Sequence, residues 1–61
     1  MNKHEALDFM QKLIGEEYSR LDDRYEEALQ FRDWKNRDVI SIERESLIEL
    51  HDFLEKEYRG E

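Results

Sequence analysis

Asp33-Trp34-Lys35-Asn36-Arg37-Asp38 decides the fold, because it is the one stretch of the 61-residue chain where a regular apolar spacing stops and must restart. Upstream, Leu7, Met10, Ile14, Tyr18, Leu21, Tyr25, Ala28 and Leu29 follow one another at intervals of three or four. That spacing is the stripe of an amphipathic helix. Lys12, Glu16, Glu17, Arg20, Asp23, Arg24, Glu26 and Glu27 fill the gaps with a solvated face of mixed sign, including the helix-compatible pair Glu16 and Arg20. Asn2, with Glu5 three residues on, has the pattern of an N-terminal cap. Downstream, Val39, Ile40, Leu47, Leu50, Phe53, Leu54 and Tyr58 fall on one helical side, with Ile40, Leu47 and Leu54 seven residues apart. Asn36 or Asp38 can cap this second helix.

The reading is a single all-α domain over residues 1–61: a helix over about 3–34, a turn over about 35–38 and a helix over about 39–58. A short turn between two long helices makes an antiparallel helical hairpin. Gly15 lies inside the first stripe, where glycine costs about 1 kcal/mol relative to alanine. The stripe crosses it without a change of phase, so one continuous helix is expected. A close approach of another helix would account for the glycine; a kink is the alternative.

Composition sets the next constraint. The chain is 44% charged and 38% hydrophobic, with no proline and no cysteine, so neither a disulfide nor cysteine-based metal ligation can staple it. A lone core in a chain this short seldom supplies more than roughly 3 to 5 kcal/mol. Association is the remaining staple, and a two-fold dimer of hairpins closing into a four-helix bundle is the simplest form. Leu7, Met10, Ile14, Tyr18, Leu21, Tyr25, Leu47, Leu50 and Leu54 are the expected dimer interface. Phe9, Leu13, Ile42 and Ile48 widen the apolar surface beyond a two-helix seam.

The net charge of −7 is spread over both halves. Such a surface disfavours direct contact with nucleic acid or anionic membranes and favours basic protein partners. No run of residues reaches the ~20 apolar positions of a membrane span, and Met1-Asn2-Lys3-His4-Glu5 lacks the apolar core of a signal peptide. A complete, soluble, cytoplasmic chain is expected.

Seventeen acidic residues invite a metal reading. Asp22-Asp23-Arg24-Tyr25-Glu26 and, after 22 intervening residues, Glu49-Leu50-His51-Asp52 resemble a loose form of the paired acidic motifs of the all-helical MazG-type nucleotide pyrophosphohydrolases. In that family facing helices hold magnesium, so the resemblance implies metal-ligating roles for Asp23, Glu26, Glu49 and Asp52. It covers nine residues, aspartate stands for glutamate at the first two positions, and the chain is shorter than the family's members. A solvated acidic face is the expectation. His4 and His51 lack the Glu-x-x-His spacing of a helical di-iron site, since Ile48 precedes His51 by three. No serine sits in a glycine-flanked elbow, and two isolated glycines cannot cradle a phosphate. No catalytic residue, metal, cofactor or small-molecule substrate is expected.

Phe31, Arg32, Trp34, Lys35 and Arg37 gather aromatic and basic side chains in an otherwise acidic chain. Trp, Tyr and Arg dominate interface hot spots, so these five are the candidate partner-binding residues. Two roles compete for Trp34: contact with another protein, or closure of the bundle end with the bases set against the helix dipole. A further possibility is an acidic face of Asp22, Asp23, Glu26, Glu27, Glu43 and Glu45 that imitates nucleic-acid phosphate toward a DNA-binding protein. The expected function is a small acidic interaction module (adaptor, regulator or inhibitor) without catalysis, partnered by itself and by another protein.

Overall fold

A computed structural model describes residues 1–60 and leaves Glu61 outside the described residues. Helix α1 runs over Lys3–Gln30, helix α2 over Trp34–Leu54, and a terminal π-helical segment over Glu55–Arg59. Among the described residues there is no strand, and the two helices form the expected antiparallel hairpin.

The start of α1 is built as the sequence suggests. Asn2 Oδ1 accepts from the Glu5 backbone N–H at 2.8 Å, and the Glu5 carboxylate in turn accepts from the Asn2 side-chain amide at 3.2 Å. One orphan backbone donor is thereby satisfied. α1 then continues through Gly15 without interruption.

The chain reverses earlier and more tightly than the polar run at 35–38 suggests. Phe31 caps α1, Arg32 takes a left-handed φ of 55°, and only Phe31, Arg32 and Asp33 lie between the helices. The Asp33 N–H donates to Ala28 O at 2.8 Å and the Arg32 N–H to Leu29 O at 3.2 Å. These two bonds are those of a Schellman motif, which usually places glycine where Arg32 stands. Asp33 is also the N-cap of α2, its carboxylate accepting from the Asn36 N–H at 3.2 Å. The cap is therefore Asp33 and not Asn36 or Asp38, and Trp34 opens α2 instead of ending α1.

The hairpin seam is narrow. Leu21, Ala28 and Ile40 are fully enclosed, with Tyr25 and Leu47 packed against them, and Leu7 and Leu54 are buried nearer the open end. Ile40, Leu47 and Leu54 are the line of α2 that faces α1. Val39, Leu50, Phe53 and Tyr58, which the spacing assigns to the same side, are exposed. One opposing helix covers only one stripe of α2, and these four lie beyond its edge. The molecule measures 44 × 17 × 10 Å, a slab two helices wide and one helix thick. Among the described residues no layer covers either flat face.

Arg44 fastens the middle of this seam from α2. Its guanidinium lies 4.5 Å from the Tyr25 ring centre and 5.5 Å from that of Tyr18, and pairs with Asp22 at 3.0 Å. All three partners belong to α1, so one cation joins a span of two helical turns. Its Nε is buried without a hydrogen-bond partner, a cost that the ring contacts and the ion pair offset.

A polar clasp holds the open end. Arg59 reaches back to Asp8 at 2.6 Å and to Gln11 at 3.0 Å, and it also contacts Glu55 at 3.1 Å. The hydrogen bond from Gln11, followed by that from Arg59, holds the Glu55 carboxyl below the usual carboxylate range. The contact to Asp8, then that to Glu55, raises the Arg59 guanidinium further. All are solvent-facing, so they align the helix ends more than they stabilise them.

The left-handed Arg32 generates a prediction. A non-glycine residue in that conformation costs about 1 kcal/mol, so Arg32→Gly should stabilise the chain by about that amount. The melting temperature should rise by about 4 to 8 °C at matched concentration. An unchanged or lowered value would show that the Arg32 side chain makes a compensating contact.

Candidate functional site

The five residues singled out at the turn lie together, although all five sit on elements other than expected: Phe31 and Arg32 in the connection, and Trp34, Lys35 and Arg37 in α2. Phe31 is the α1 cap and is 70% exposed; Trp34 is the first residue of α2 and is 49% exposed. Within one hairpin the indole is therefore half covered. Arg37, one turn along, stacks on the Trp34 ring at 5.0 Å and pairs with Asp38 at 2.9 Å. Arg32 and Lys35 point their charge to solvent. No basic residue lies within the last turn of α1 itself, and Arg32 stands just past its end. The result is an indole plate held by a guanidinium, with Phe31 nearby. A shallow depression of about 150 Å³ between Arg24, Glu27, Ala28, Phe31, Asp33 and Asn36 adjoins it.

The nine residues expected to meet a second copy divide. Leu7, Leu21 and Leu54 are buried within one hairpin, and Tyr25 and Leu47 pack on its core. Leu7, Leu21 and Leu54 are thus taken up within one copy, whereas Tyr25 and Leu47 are only partly covered. Met10 and Leu50 remain exposed. Ile14 and Tyr18 lie at the seam's edge, where with Gln11, Gly15, Leu47, Ile48 and His51 they line an open groove of about 360 Å³. Gly15 does not mark a close approach inside the hairpin, since a Cβ there would meet nothing within 4 Å. Its missing side chain widens the groove.

On the opposite edge of the seam a second groove of about 270 Å³ is lined by Glu17, Leu21, Ile42, Glu43, Ser46 and Leu47. The hydrogen bond from Arg20 holds the Glu17 carboxyl below its usual range, Arg20 itself being raised in return. Asp22 faces Arg44 on the first edge, whereas Glu43 lines the second. The acids proposed to imitate phosphate are thus split between two sides of the slab. Nor do Asp23, Glu26, Glu49 and Asp52 converge: among the described residues no three of His, Asp and Glu gather as a metal site requires.

Arg44 is the residue that the sequence reading passed over. Tyr18, Asp22 and Tyr25, at spacings of four and three, form a receptor for one cation from the facing helix. That spacing was the available signal.

Among the described residues no helix is long and apolar enough to cross a membrane. Compared with known proteins, the chain matches no protein-family model, no curated protein and no solved structure.

Because the space beside Gly15 is open, Gly15→Ala should gain about 1 kcal/mol of helix stability and raise the melting temperature. A loss of stability would show that the groove is filled by a closely approaching helix in solution.

Proposed function

We propose that this chain is a small, acidic, non-catalytic protein–protein interaction module of the cytoplasm. It completes its core by association and presents the Trp34 turn to another protein. The observation that carries the reading is the one-helix thickness of the slab, with thirteen large hydrophobic side chains exposed against five core residues among the described residues. Exposed apolar area of this extent marks an association surface.

The turn supplies the anchor. Trp34 offers a large apolar plate whose orientation is fixed by its place in the first turn of α2 and by Arg37, and so little order remains to be gained on binding. The excess of acidic over basic side chains steers encounters toward basic surfaces. An adaptor, regulator or inhibitor works by such contacts.

The test separates contact from folding. Trp34→Ala should keep its far-UV circular dichroism spectrum and lose, by at least about ten-fold, affinity for a protein retained by the wild-type chain. Unfolding of Trp34→Ala would place Trp34 in the core and sink the assignment. Magnesium or manganese should leave the melting temperature unchanged; a rise of several degrees that Glu49→Gln abolishes would favour the pyrophosphohydrolase instead.

A further inference from the structure

α2 carries two apolar lines, and the hairpin uses one. Val39, Ser46 and Phe53 each precede a residue of the packed line Ile40, Leu47 and Leu54, so the second line is turned by about 100° from the first. Ile42 and Leu50 complete it. Its four apolar members are between 44% and 65% exposed. On α1, Met10 and Leu13 lie seven and four residues before Glu17, which lines the groove beside Ile42 and Ser46. They border the same face and are exposed as well.

The order of this line is symmetric. Val39 and Phe53 stand seven residues either side of Ser46, and Ile42 and Leu50 stand four either side. A two-fold contact requires a surface that is its own complement, so that residue i meets j while j meets i. Two copies of α2 laid antiparallel and centred on Ser46 meet that requirement: Val39 falls on Phe53, Ile42 on Leu50, and serine on serine. Ser46 is the smallest side chain of the line, and its hydroxyl already donates to the Ile42 carbonyl at 2.9 Å. It therefore brings no unsatisfied polar group to a close crossing. The groove of about 270 Å³ lies beside it.

A standard stable interface takes roughly 800 Å² from each partner, and the chain has surface to give: it exposes 4873 Å², where a compact monomer of this mass exposes about 4,300 Å².

We propose that the Val39–Ile42–Ser46–Leu50–Phe53 face of α2 is the seat of a second copy of this chain, packed antiparallel about a two-fold axis at Ser46. The inference rests on the interaction-module reading and names its first partner. It also sets Glu43 toward Glu49 of the second copy, so the dimer should tighten as salt screens them.

The test exploits a chain without cysteine. Under mild oxidation Ser46→Cys should become mostly covalent dimer, while Ser41→Cys, on the far side of α2, should remain mostly monomeric. Sedimentation equilibrium should show Ile42→Lys and Leu50→Glu each associating at least about a hundred-fold more weakly than wild type, with their mixture recovering at least ten-fold of that loss. A wild-type chain that stays monomeric to millimolar concentration would overturn the proposal. So would cross-linking through Ser41→Cys in preference to Ser46→Cys, or a mixture no tighter than either variant alone. The module reading survives these failures if the Trp34-dependent contact persists, and falls separately if that contact is absent.

Discussion

Two helices side by side can enclose only the line along which they touch, and the rest of this structure depends on that limit. Leu21, Ala28 and Ile40, with Tyr25 and Leu47 against them, fill the line near the turn, and Leu7 and Leu54 extend it. Among the described residues nothing lies above or below. A 61-residue hairpin without disulfides therefore has a small core and a large remaining apolar area.

Arg44 shows how the chain compensates within that limit. Where a larger protein would add another aliphatic layer, Tyr18 and Tyr25 bracket a guanidinium that Asp22 also holds. The contact is apolar on the ring faces and charged at the tip, which suits a seam open to solvent on both edges. The Asp8–Arg59–Gln11–Glu55 clasp does the same for the helix ends. Polar fastening holds the two helices together, and the second apolar line of α2 stays exposed.

Much of this was legible in the sequence. The α1 stripe, the Asn2 cap, the passage through Gly15 and the Ile40–Leu47–Leu54 line all follow from spacing. The turn was misplaced because its sign is absent: Arg32 occupies the left-handed position that glycine usually announces, and Asp33 serves both helices at once. The apolar residues of α2 were read as one broad side because periodicity alone does not say how much of that side a single neighbour covers. Residues such as Leu21 and Leu54 were assigned to a dimer interface for the same reason. Spacing identifies a residue that wants burial, and geometry decides which neighbour buries it. Arg44 escaped notice because its role exists only across the seam.

The measurement that bears most directly on the account is the thermal unfolding of the wild-type chain, followed by far-UV circular dichroism over a hundred-fold range of concentration. If association completes the core, the melting temperature rises steadily with concentration, since a partner that binds only the folded state stabilises it by mass action. A fully helical chain whose melting temperature is the same at every concentration would contradict the account, because the slab would then be stable with both faces bare.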